Sequence, residues 1–194
     1  LCVLFFKIFM QLDECLKNRR SVRAYTDEPV PKEKIEAILE AGVWAATAMG
    51  RQPWRFIIIE DKSIIKFVSD ETKKAAIKAM PAFASRFETE QDIICYKAPV
   101  LILICSEVDA NFSKLYLEDC VLAAQNMFLK AHELGLGACY MGWIDILNSV
   151  NPEAMKKAGV PEGYEMKVPL ILGYPKGKPG LGKRNPPVIL KWIK

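Results

Sequence analysis

One stretch limits the possible folds more than any other. From Leu115 to Leu134 the chain reads LYLEDCVLAAQNMFLKAHEL. Tyr116, Cys120, Ala123, Met127, Ala131 and Leu134 recur at spacings of three and four, one stripe of an α-helix. Leu117, Val121, Leu122, Ala124, Phe128 and Leu129 make much of the remaining surface apolar as well. A helix apolar on most sides has to be buried, either centrally or against another subunit. Gly-Leu-Gly at 135–137 supplies its stop.

The other segments fit around such a helix. Pro31–Ala46 has helical periodicity, with Pro31 suited to a first helical position. Trp54–Glu60 and Pro99–Cys105 are apolar runs of strand length, and Lys62–Met80 is an amphipathic helix stopped by Pro81. Residues 138–144 (ACYMGWI) read as a strand, Met166–Gly173 as a last core strand, and 175–187 as a basic Gly/Pro-rich loop. Helices and strands mix without strict βαβ alternation, which predicts an α+β fold with one domain. Met10 opens a natural start, so the domain is expected over 10–194, with 1–9 an N-terminal extension.

Composition removes several function classes. The net charge of +4 is small and no long basic face is visible, which argues against nucleic acid as partner. The apolar N-terminal run is far shorter than the roughly 20 residues of a membrane span. It also lacks the basic flank and cleavage site of a signal peptide. Six cysteines without a C-x-x-C pair, and a single histidine, argue against a zinc site. The cysteines read as buried thiols in a reducing, cytoplasmic compartment.

Charge is concentrated in one place, NRRSVRAY at 18–25. Arg19, Arg20 and Arg23 with Ser21 would make an anion trap, forked donors matched to phosphate oxygens. A solvated charge run at a helix end explains them equally. Lys183–Arg184 in the C-terminal loop would complete a phosphate site if the fold brought it close. In AATAMGRQPWRF (45–56), Gln52 can hydrogen-bond a ligand and Trp54 can pack or stack. In GLGACYMGWI (135–144), small residues beside aromatics allow a flat ligand to approach the backbone. Ser21 lacks a histidine neighbour in sequence, and a Ser-His-Asp triad would have only His132 to use, which reads as structural. Glu118 and Asp119 are adjacent and do not share a helix face. P-loop and dinucleotide-binding glycine motifs are absent.

These segments, in this order, resemble the FMN-dependent nitroreductase family: RRSVR (19–23), AATAMGRQPWRF, AAQNMFLKAHELGLGACYMGW (123–143) and GKRNP (182–186). The resemblance implies an intertwined homodimer around a mostly antiparallel sheet, with FMN at the subunit interface. Arg19, Arg20 and Ser21 would hold the phosphate and ribityl chain, joined by Lys183 and Arg184. Arg23 would lie at the N1–C2 edge of the ring, where reduction places negative charge. Tyr140, Met141, Gly142 and Trp143 would pass along the ring, with a backbone N–H near Gly142 on N5. Thr47 and Gln52 would reach the FMN of the other subunit. Ala46 and Thr47 replace the family's usual Pro-Ser, and Gly50 and Gly182 replace its usual Asn and Lys. Implied too is a ping-pong oxidoreductase taking hydride from NADH or NADPH to a small acceptor such as a nitroaromatic or quinone. No side-chain acid or base is required, because the cofactor carries the chemistry. A lid would come from roughly 80–97, with Phe83 and Phe87 as candidates. Rival readings are another flavin reaction on the same fold, such as dehalogenation or flavin fragmentation, and a non-catalytic FMN-binding protein.

Overall fold

Backbone hydrogen bonding and side-chain alternation build one sheet with two cores. The computed structural model describes residues 10–180 and 182–194. The extension expected at 1–9 lies outside the described residues. The α-helices are α1 (Leu12–Asn18), α2 (Lys32–Val43), α3 (Lys62–Ala79), α4 (Ala84–Phe87), α5 (Ser113–Glu133), α6 (Ile146–Val150) and α7 (Pro152–Lys157). The strands are β1 (Arg55–Ile59), β2 (Val100–Glu107), β3 (Gly137–Tyr140) and β4 (Tyr164–Gly173). They pair antiparallel in the order β1-β2-β4-β3, so the expected α+β class holds.

β2 is buried along Val100–Ser106, as a strand covered on both faces must be. Its side chains alternate between the two cores. Ile102 and Ile104 meet Ile38 of α2 and Cys120, Ala123 and Met127 of α5. Leu101 and Leu103 meet Ile65 and Val68 of α3, with Ile144 and Leu147. Asp61 starts α3 by accepting from the Ser63 and Ile64 N–H groups at 2.7 and 3.3 Å.

One expectation needs correction. The strand read over 138–144 stops at Tyr140, and Gly142–Asp145 forms a 3-10 turn. The cause is Pro169 of β4. It accepts from the Met141 N–H at 3.0 Å but has no N–H to return, so the ladder ends there. The long helix runs Ser113–Glu133, and within one chain Leu117, Val121 and Leu122 stay 41–47% exposed, the side left for the second of the two expected coverings, another subunit. Its stop is as expected, with the Leu136 N–H reaching back to Ala131 O at 2.8 Å.

Candidate active site

α1 delivers the arginines to the free edge of β3. Its last turn closes on the Arg19 N–H, which donates to Cys15 O at 3.0 Å. The chain then runs extended beside β3. Ser21 bridges Ala138, and the Val22 N–H donates to Ala138 O at 3.1 Å. Gly137 permits the approach, since a Cβ there would lie 2.5 Å from Val22 Cγ2. Alternate side chains of an extended segment face opposite ways. Val22 enters the core and leaves Ser21 and Arg23 exposed.

Arg19, Arg20, Ser21, Arg23 and Arg184 line a cavity of about 560 Å³, walled opposite by 175–180. Arg20 Nη1 donates to Lys17 O and Arg19 O, each at 2.7 Å, and its Nε to Gly180 O at 3.2 Å. Gly182 sits in the crook between the two basic segments; a Cβ there would be 3.0 Å from Arg184 Nη1 and 3.4 Å from Arg20 Nε. Burial, and then the charges of Arg20 and Arg184, hold the Arg19 guanidinium below its ordinary pKa. No ion pair among the described residues involves an arginine. The cluster is therefore positive charge crowded together without a carboxylate, an arrangement an anion would relieve.

Arg23 also borders a second cavity of about 600 Å³, lined by Arg86, Tyr96, Tyr140, Met141, Gly142 and Trp143. The cationic and aromatic cavities thus adjoin. The Tyr140 hydroxyl donates to Asp145 Oδ2 at 2.9 Å. Burial pushes the Asp145 carboxyl up to about 6, against the smaller opposite pull of the Tyr140 hydrogen bond. Asp145 Oδ1 is buried without a partner among the described residues. Burial and the Asp145 charge likewise raise the Tyr140 phenol.

The far wall comes from the segment between α3 and β2. Phe87 of α4 is 2% exposed and meets Trp143 edge-on, centroids 4.9 Å apart. Tyr96 and Lys97 hold left-handed backbone (φ 51° and 55°). Asp92 fixes that turn by accepting from the Ile94, Cys95 and Lys97 N–H groups and the Ser69 hydroxyl. Burial alone would raise the Asp92 carboxyl; these four donors outweigh it and leave its pKa lowered.

Residues 16–174 match the model of the Nitroreductase family. The chain belongs to that family. It is 30% identical over 175 residues to a Methanothermobacter thermautotrophicus protein provisionally named an NADH dehydrogenase/NAD(P)H nitroreductase, covering 88% of this chain and 81% of the relative. It is 28% identical over 172 residues to the iodotyrosine deiodinase of Thermotoga neapolitana, covering 84% of this chain and 88% of that one. A Bacteroides fragilis nitroreductase solved with bound FMN superposes with a TM-score of 0.81 at 28% identity, over 95% of this chain and 98% of the other. This nitroreductase-family chain is accordingly an oxidoreductase.

Most residues singled out in the sequence gather in the two cavities of this family member. Arg19, Arg20, Ser21, Arg23 and Arg184 share the first, and Arg23 meets Tyr140, Met141, Gly142 and Trp143 in the second. Lys183 is exposed and lines neither. Thr47 and Gln52 also line neither within their own chain. Of the lid candidates, Phe83 is exposed outside both cavities and Phe87 is an internal anchor; Arg86 and Tyr96 do the lining instead. Asp119 escaped notice as half of an adjacent acidic pair. It is 4% exposed and accepts from the Thr47 hydroxyl and the Ala48 N–H, each at 3.0 Å. Thr47 Oγ1 in turn accepts from the Gln52 N–H at 2.9 Å. The available signal was position: Asp119 lies three residues from Tyr116 and four from Ala123, on the buried stripe. His132 lies in the last turn of α5, its Nε2 without a partner among the described residues. Its pKa is lowered by burial and then by Arg19 and Arg20.

Proposed function

We propose that the chain binds FMN and uses it to oxidise NADH or NADPH and reduce a small, flat acceptor such as a nitroaromatic or a quinone. One observation carries this: a carboxylate-free cluster of guanidinium groups adjoins an aromatic cavity through Arg23. FMN is a phosphate dianion joined by a polyol to a flat ring, and the residues present fit that outline. Arg19, Arg20 and Arg184 would hold the phosphate, and Ser21 would add a hydroxyl beside the ribityl chain. Arg23 would face the ring's pyrimidine edge, where a fixed cation favours added negative charge. Tyr140, Met141, Gly142 and Trp143 would border the ring, with the exposed backbone at Gly142 as donor. Lys183 would act at longer range as a screened charge. When bound, FMN supplies hydride transfer between nicotinamide and acceptor. The protein binds, orients and excludes water, and the aromatic cavity would serve donor and acceptor in turn, giving ping-pong kinetics.

The working form is proposed to be a homodimer of one domain each, residues 10–194, in which Thr47 and Gln52 meet the cofactor of the partner subunit. Among the described residues no helix is long and apolar enough to cross a membrane. Among the described residues, five buried free thiols support a reducing, cytoplasmic setting.

The test is an absorbance spectrum of protein incubated with FMN and desalted, before and after anaerobic NADH or NADPH. A retained flavin spectrum that bleaches with either donor is the expected result. Absence of retained flavin in a folded protein would overturn the proposal. The deiodinase relative favours one alternative, reductive dehalogenation; iodide release from iodotyrosine that outpaces turnover of nitro compounds would select it.

A further inference from the structure

Arg86 is a cation without an ion-pair partner among the described residues, next in the chain to an anchored side chain. Its neighbour Phe87 fixes α4 from beneath by packing against Trp143. Arg86 itself is exposed and borders the aromatic cavity. It forms no ion pair among the described residues, and no carboxylate lines the cavity. Beside it stands Tyr96, on the turn that Asp92 clamps. One opening therefore carries two guanidinium groups, Arg23 and Arg86, among Tyr96, Tyr140 and Trp143. Arg23 belongs to the segment that leads from the phosphate cluster. Arg86 arrives on a separate element and is left over for a second ligand.

We infer that Arg86 is a specificity-determining residue that recognises a negatively charged group, a carboxylate or phosphate, on the flat ligand occupying the aromatic cavity. The inference rests on the cofactor reading above, which assigns Arg23 to the flavin. A guanidinium is permanently charged and presents paired donors that match a carboxylate or phosphate edge, while aromatic side chains accept the flat body. A neutral ligand of the same shape gains only the aromatic contacts. The anion has two sources, a carboxylate on the acceptor or a phosphate on the nicotinamide donor, and the experiment separates them.

The probes are 4-nitrobenzoate and its uncharged amide, titrated by calorimetry into the FMN-loaded full chain as wild type, R86Q and R86K. Because Arg86 is exposed, both variants are expected to fold with unchanged thermal midpoints and FMN content. The wild type should bind the carboxylate more tightly than the amide by on the order of tenfold. R86Q should level the two, and R86K should keep part of the preference, having charge without the fork. Michaelis constants for NADH and NADPH form the second arm. A rise in R86Q confined to NADPH, without any carboxylate preference in the wild type, assigns the anion to the donor's phosphate. R86Q with unchanged carboxylate-to-amide ratio and unchanged donor constants overturns the inference. Loss of flavin on desalting the wild type would instead strike the cofactor reading, and the same titrations on the flavin-free chain still decide the role of Arg86.

Discussion

At Arg20 one guanidinium donates to the carbonyls of Lys17, Arg19 and Gly180 and still borders the cationic cavity. Those bonds fix its direction, so a bound phosphate meets a charge already oriented. Arg20→Ala should weaken FMN binding by about 1.5–3 kcal/mol, the range for hydrogen bonds to charged groups. Calorimetry at several salt concentrations checks it, and the salt dependence should shrink with the lost charge. Unchanged affinity would move the phosphate elsewhere. Asp145 poses a different residue-scale problem, because its carboxyl titrates at about 6 rather than 3.8. Between about pH 4 and pH 6 the folded chain keeps a proton that the unfolded chain has released. Stability contributed by this group is therefore present below that window and lost as pH rises through it. Removing the titration with Asp145→Asn should make wild type lose stability relative to the variant across that window, by about 1–2 kcal/mol after allowance for partial solvent contact. Thermal midpoints in a pH series read the difference; parallel curves would mean Asp145 titrates normally.

Elements differ in how far the sequence discloses them. α3, α5, β2 and β4 were legible within a few residues because each repeats one pattern over many positions. The four-residue α4 and five-residue α6 carry too few repeats to show periodicity, and tertiary packing rather than propensity holds such short helices. The end of β3 depended on a proline 28 positions further along, across the sheet from Met141. Arg19–Arg23 and Tyr140–Trp143, which line the two cavities, were legible as candidates because local charge and aromatic content mark them. Arg86 and Tyr96 were not, since only the packing of Phe87 and the Asp92 turn carries them to the cavity. The loop at 47–52 shows both sides of this: GRQP signals a turn, but its anchor on α5 is invisible locally. Met49, Gly50 and Gln52 all have left-handed backbone there, φ 53°, 64° and 48°. Such a loop persists only where its surroundings fix it. Asp119→Ala would strand the Ala48 N–H and the Thr47 hydroxyl; both are half-buried, so the cost falls at the low end for unsatisfied groups, about 1 kcal/mol each. Amide exchange at Ala48 and Gln52 should accelerate selectively while β2 and β4 stay protected. Uniform loss of protection would instead make Asp119 a support of the helix packing.

At the scale of the whole molecule, two of the apolar surfaces left open among the described residues bear on assembly. One is on α5, Leu117, Val121 and Leu122; the loop tied to Asp119 of the same helix adds Met49, 70% exposed. The other follows the last strand: Val188, Ile189, Leu190, Trp192 and Ile193 are all largely exposed. Contiguous apolar surface of this kind marks an interaction site, and a second copy can cover it reciprocally about a two-fold axis. The same axis would give Thr47 and Gln52 a cofactor to meet, since neither lines a cavity of its own chain. Val121→Glu places a charge on that α5 surface, where pairing would desolvate it against its own copy. The expected result is a folded monomer by sedimentation, with helical circular dichroism retained and FMN affinity reduced because the partner's Thr47–Gln52 loop is gone. Arg20→Ala supplies the control, losing FMN affinity while the assembly stays dimeric. Should Val121→Glu remain a dimer with full flavin content, the interface lies on another face and the Thr47–Gln52 loop serves the fold alone. Loss of dimer and flavin together in one variant, and of flavin alone in the other, would tie the cofactor site to the pairing of two chains.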